Sequence, residues 1–387
     1  MDPGPGTQGR AGHPTASPGP SNSGSFFGAD GTGRVLANPQ VIEPNGSKSQ
    51  PCRISRLWIT ARFPQPERTL RALPRVVGKA GRMISGDELV NLRCHKAGSP
   101  VWAEIETGRM VKLAPTQAVR SDYFRSLAPH ERARLVAIAT GRGVPKSIAI
   151  GRTAARIHGM WVVTRSKETA ELTRGAHPCT TMPEGQRCRR MKLRPEEITL
   201  IDGARTLTPF RTAADIAATY GLVEGLVAMS WLKYSGWGIG RLRREAERLG
   251  PVKGIATIRQ CIELSSPRAL SPFEPYAQGL FVEAGIEGIR MHPRLPLPGG
   301  RYIEPDLMIG DHVAVEIDGD AKYDGVTYGS LDDISRGELK RQKLLINMGL
   351  EVVRFSPREL LTNPEYCIET LRGAIERASR RPSQPGK

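Results

Sequence analysis

Residues 301–318 read RYIEPDLMIGDHVAVEID, and this stretch decides the fold. Gly310-Asp311-His312 is a turn signal, because glycine and aspartate accept the backbone conformations of tight turns. A three-residue loop there pairs Ile309 with Val313 and sets Asp306 opposite Glu316. Side chains alternate faces along a strand. One face then carries Glu304, Asp306, Met308, Ala314, Glu316 and Asp318, and the other carries Leu307, Ile309, Val313, Val315 and Ile317. The aliphatic face is a core face. Opposed carboxylates repel. A cation between them removes that cost, and hard divalent cations prefer oxygen ligands. Two readings of the acidic face stay open: a magnesium or manganese site, or a solvated polar face.

Working outward, residues 268–378 predict helix 272–284, strand 288–292, the hairpin 302–318, helix 332–348, strand 351–355 and helix 363–378. A mixed sheet flanked by helices follows, an α/β sandwich. Residues 379–387 read as a disordered tail. At the other end, residues 1–75 read as a disordered, basic segment, rich in Gly, Pro, Ser and Asn up to about residue 50. Its last part gathers Arg53, Arg56, Arg62, Arg68, Arg71 and Arg75, either a basic arm or a charged linker. Residues 76–119 predict a winged helix-turn-helix: a capping box at Ser85-Gly-Asp-Glu88, a short helix over Pro100–Glu106 and a strand over Arg109–Leu113.

Residues 120–260 predict a mixed α+β region. Helices are expected over Glu131–Thr140, Ile148–His158, Pro209–Tyr220, Leu222–Tyr234 and Arg241–Leu249. Strands are expected over Trp161–Thr164 and Ile198–Ile201. His158 has no second ligand at a fixed spacing, so it reads as a packed or capping histidine rather than a metal ligand.

The 387 residues suffice for two or three domains, and 39% are apolar, so a core is affordable. The net charge is +17 and the pI near 10.0, which points to nucleic acid or an anionic surface as partner. No run of about 18 apolar residues occurs, so no membrane span is expected. The N-terminus lacks a signal-peptide shape, which points to the cytoplasm. The six cysteines are scattered without a C-x-x-C pair. That spacing argues against a zinc finger or a disulfide framework and for reduced thiols.

The order SPFE (271–274), PD (305–306), VEIDG (315–319), E-x-K-R-x-x-L-L (338–345) and VVRF (352–355) resembles the restriction-endonuclease-like nuclease superfamily. Within it, the very-short-patch-repair endonuclease type and its uncharacterised bacterial relatives are the most similar branch, over Ser271–Ala378. The resemblance implies that Asp306 and Glu316 bind a catalytic Mg2+ or Mn2+. Asp318 joins them, standing where most members keep a lysine. Glu274 matches a glutamate that supports the site, and it also fits a helix-capping role. Lys322 is expected either to orient the attacking water or hold the scissile phosphate, or to be an exposed loop lysine. Lys340 and Arg341 are expected to face DNA phosphate, with Arg341 paired to Glu338 and Arg336 on the same helix. Arg354 is expected to brace the acids.

GRMISGDELVNL (81–92), GRMVKLAPTQAV (108–119), IAIGRTAARIHGMWV (148–162) and LTPFRTAADIA (207–217) resemble the winged helix and continuation of type IV abortive-infection antitoxins. This implies DNA contact by Arg82, Arg109 and Lys112 and a cognate toxin as protein partner. Glu104 and Glu106 on the candidate recognition helix suit DNA poorly. The expected function is a metal-dependent DNA endonuclease or nicking enzyme with an N-terminal DNA-binding module. The alternative is an antitoxin-type transcriptional regulator whose nuclease fold is idle, since no lysine stands beside Glu316 and no histidine follows Asp318-Gly319. A nucleic-acid-binding protein with neither activity is the third reading.

Overall fold

The computed structural model describes residues 85–175, 185–318 and 341–380, an α/β region with four sheets among the described residues. At its N-terminal end stand β1 (Val90–Asn91), α1 (Pro100–Glu106), β2 (Met110–Ala114) and β3 (Gln117–Arg120), with strand order β1-β3-β2. The first expected helix of this region does not form. Ser85 accepts the N–H of Asp87 rather than of Glu88, and only 3-10 turns occupy Gly86–Glu88 and Leu92–Cys94. Between them Val90 and Asn91 pair with Ala118 and Gln117, and that pairing needs extended backbone.

The middle of the chain holds α2 (Ser121–Ser126), α3 (Pro129–Gly143), β4 (Ile148–Ala149), α4 (Gly151–His158), β5 (Ala170–Thr173), β6 (Gln186–Cys188), β7 (Ile198–Ile201) and β8 (Ala204–Leu207). Its sheet runs β6-β5-β4-β8-β7. The expected helix from Ile148 therefore starts later, because Ile148 and Ala149 pair with Thr173 and Leu172 and the chain turns at Gly151 with φ 53°. Trp161–Thr164, expected as a strand, is irregular. These residues serve packing instead: Val163 is buried and Trp161 stacks 5.1 Å from Tyr234. His158 is a packed histidine. Its Nε2 donates to the Leu207 carbonyl at 2.7 Å, and burial pulls its pKa down to about 4. Cys261 and Cys367 are free thiols, but Cys188 is disulfide-bonded, against the expectation of reduced thiols.

Four helices follow: α5 (Pro209–Tyr220), α6 (Leu222–Tyr234), α7 (Ile239–Leu249) and α8 (Ile255–Leu264). Proline at the first turn of α5 costs no hydrogen bond, since that N–H has no intrahelical partner. No described helix is long and apolar enough to cross a membrane.

The C-terminal part comprises α9 (Phe273–Glu283), β9 (Ile289–Met291), β10 (Leu295–Leu297), β11 (Arg301–Ile303), β12 (Leu307–Ile309), β13 (Val313–Ile317), α10 (residues 341–347), β14 (Glu351–Phe355), α11 (Pro357–Thr362) and α12 (Pro364–Arg380). The sheet order is β14-β13-β12-β9, with β13 and β14 parallel and the other pairs antiparallel. The hairpin has the expected register: Ile309 pairs with Val313, Met308 with Ala314 and Leu307 with Val315. Gly310 takes the left-handed turn conformation at φ 54°.

All five aliphatic residues of the hairpin join one core with Phe281 of α9, Phe355 of β14 and Leu371 of α12. That core also contains Val223 and Val227 of α6, so it runs without a break into the middle of the chain. The opposite face is not solvated at its centre. Met308 and Ala314 are buried under Leu345 and Leu350, together with Ile303. The small β10–β11 hairpin, unforeseen in the sequence, brings Ile303 to this second core.

Candidate metal centre

Period-two alternation, once the centre of the acidic face is sealed, leaves the carboxylates at its end. Asp306 lies just before β12, where continued pairing sets it opposite Glu316 of β13. Asp306 accepts the Ile317 N–H at 2.7 Å. Loss of hydration raises its pKa, and the charge of nearby Glu274 raises it further, against that hydrogen bond. Glu316 is buried, and its carboxyl is pushed up to about 7, first by burial and then by Asp306. Arg341 of α10 opposes that shift, bonding Glu316 Oε1 at 3.1 and 3.2 Å and the Glu304 carbonyl.

Glu274 sits in the first turn of α9 and is buried. The helix starts one residue later than expected, with Pro272 at its N-cap position and no side-chain cap. Instead of closing a box with Ser271, Glu274 reaches back to the Leu270 N–H at 2.8 Å with Oε2. The same oxygen meets Nε2 of His292 at 2.7 Å. His292 follows β9, is 4% exposed, and has φ 45° directly before Pro293, a conformation unfavourable for a non-glycine residue. Its own N–H donates to the Asp306 carbonyl at 3.0 Å. Burial alone would lower the imidazole pKa, but the Glu274 bond and the charges of Glu274 and Asp306 outweigh it and raise the pKa.

Glu274, His292 and Asp306 form a group able to hold a metal ion, with one ligand atom from each within 4.8 Å of the others. His292 and Asp306 line a cavity of about 430 Å³, with Glu304 and Arg341 on its polar side and Leu270, Tyr302 and Leu344 among its apolar walls. The expected ligands stand as follows. Asp306 stays central, Glu316 is beside it but clasped by Arg341, and Asp318 faces Arg354 at 3.9 Å. Glu304, expected on the same face, is ion-paired with Arg268 and, at 3.0 Å, with Arg294.

His292 escaped the sequence reading because a lone histidine at a strand end carries no spacing signal. The pairing of Met291 with Leu307 places it next to Asp306, and only knowledge that β9 lies beside β12 supplies that register. Of the residues expected to touch DNA, Arg109 and Lys112 are exposed, with the Lys112 ammonium 5.9 Å from the Trp102 ring. Arg341 lines the cavity instead of standing on an open helix face. Arg82, Lys322, Arg336, Glu338 and Lys340 lie outside the described residues. No family model matches this chain, and no curated protein matches it.

Proposed function

We propose that this protein is a metal-dependent DNA endonuclease or nicking enzyme that hydrolyses phosphodiester bonds. In this reading the C-terminal part is a nuclease-type sandwich, and the N-terminal sheet with α1 is a winged-helix module that holds DNA. The observation that carries it is the crowding of Asp306 against buried Glu316, with Asp306 and Arg341 lining the cavity. Carboxylates crowded in this way are stable together only with protons or cations between them.

A bound divalent ion supplies Lewis-acid polarisation of phosphate and a water of lowered pKa. Asp306 holds that ion. Glu316, whose carboxyl burial and Asp306 push up from the usual carboxylate range, stands beside that ion as a general base. The Arg341 guanidinium is a fixed positive charge for the extra charge that develops on phosphate oxygens in the transition state. The net charge of +17 supplies sequence-independent affinity for the DNA backbone.

The test is nicking of supercoiled plasmid with magnesium or manganese chloride by wild type, Asp306→Asn and Glu316→Gln. Cutting by wild type and its loss by about a hundredfold or more in both variants is the expected result. Wild type that cuts no DNA under either metal overturns the reading. The antitoxin-type regulator would then take its place, favoured by the Arg341 clasp on Glu316 and by Asp318 paired with Arg354 at the usual lysine position. That reading requires a specific shift of promoter DNA.

A further inference from the structure

Three ligand-type side chains from three separate places in the chain converge on one point: Glu274 from α9, His292 after β9 and Asp306 before β12. We infer that this point holds a first-row transition dication through Glu274, His292 and Asp306, with Glu316 outside the ligand set. The inference rests on the proposal that the cavity binds a metal ion, and it names the ligands and the class of ion.

Geometry comes first. An ion about 2.1 Å from each donor spaces neighbouring ligands by about 3 Å and opposite ones by about 4 Å. Nε2 of His292 and Oε2 of Glu274 are 2.7 Å apart, and all three ligand atoms fall within 4.8 Å of one another. Each ligand is also fixed from behind by the backbone. The Leu270 N–H holds Glu274, the Asp306 carbonyl holds the His292 main chain, and the Ile317 N–H holds Asp306. Such outer contacts hold ligands in place before the ion arrives. The left-handed φ of His292 gains a purpose here, because unfavourable backbone persists where the surroundings enforce it.

Donor chemistry decides the ion. Magnesium takes oxygen ligands and keeps several waters. An imidazole nitrogen suits manganese's heavier neighbours in the first transition row, and affinity at a mixed nitrogen and oxygen site rises along that row. For Nε2 to take the ion, the proton between Nε2 and Glu274 leaves that bond, to Nδ1 from a neutral imidazole or to solvent from an imidazolium. Glu316 is outside the group of ligand atoms within 4.8 Å, and the Arg341 guanidinium bonds its Oε1 twice.

Manganese chloride alone is the probe, added to the full chain and followed by electron paramagnetic resonance with spin-echo detection of nitrogen coupling. The expected result is bound Mn2+ coupled to an imidazole nitrogen in wild type. His292→Asn, whose new side chain tolerates left-handed backbone, should remove that coupling and weaken Mn2+ binding on the order of tenfold or more. Glu316→Gln should keep the coupling and bind within about threefold, although it no longer nicks plasmid. The nitrogen signal in wild type needs no variant, so misfolding of a mutant cannot rescue or sink the idea. Bound Mn2+ without nitrogen coupling, or binding lost in Glu316→Gln but kept in His292→Asn, overturns the ligand set while leaving the nuclease reading intact. Nitrogen-coupled Mn2+ in a protein that cuts nothing upholds the site and removes the nuclease. Wild type that binds neither Mn2+ nor Co2+, the latter followed by its visible absorption, overturns the site, and the nicking assay decides the nuclease reading separately.

Discussion

His158 shows how a single buried group ties stability to pH. Its folded pKa of about 4 lies below the ordinary 6.5. The unfolded chain therefore takes up a proton before the folded chain does. The associated stability is complete above about pH 6.5 and is lost as pH falls towards 4, up to ~3 kcal/mol in all. Urea titrations across that window should show the decline in wild type and a flatter profile in His158→Gln, whose amide still donates to the Leu207 carbonyl. An unchanged slope in the variant would place the pH dependence elsewhere. The sequence made His158 legible because a lone histidine without partners at fixed spacing is usually packed. The same rule concealed His292. Local spacing is blind to a partner 18 residues away, and Glu274 and Asp306 become its neighbours only through tertiary pairing.

Among the elements, the 307–317 hairpin was the most legible, because a period of two and a defined loop determine both faces and the register. What the alternation did not reveal is that its second face is covered as well. Alternation distinguishes faces, but it does not say which face another helix will claim. Met308 and Ala314 are weak clues, and their cover is Leu345 on α10. Leu345→Ala should cost about 2–5 kcal/mol in chemical denaturation by opening a cavity there. Ile346→Ala one position on, where the side chain is 52% exposed, should stay within about 0.5 kcal/mol. Equal effects would mean that α10 does not seal this face. The helix that the capping box at Ser85-Gly-Asp-Glu88 would open failed for a related reason. A capping signal is local, and the strand pairing of Val90 with Ala118 prevailed over it.

At the scale of the whole molecule, α6 and α9 approach so closely that a Cβ on Gly279 would stand 2.8 Å from the Val223 Cα. The core that encloses the aliphatic side of the hairpin also takes in Val163, Val223 and Val227. Residues 85–380 should therefore melt as one cooperative transition in calorimetry, with Gly279→Ala lowering stability by about 1–3 kcal/mol through overpacking. Two separated transitions would show that the sheet of β9 and β12–β14 folds apart from α6. Sequence patterns delimited regions by changes of composition and period, and such changes carry no information on which apolar surfaces later fuse.

The cover on both broad faces of the β14-β13-β12-β9 sheet has a consequence for the surroundings of the acids. Among the described residues, α9 and α12 close one face, and Leu345 and Leu350 cover the centre of the other. Leu270 and Tyr302, which line the cavity, are 71% and 53% exposed. The cavity thus joins an apolar wall of Leu270 and Tyr302 to a charged wall of Arg341, Glu304 and Asp306.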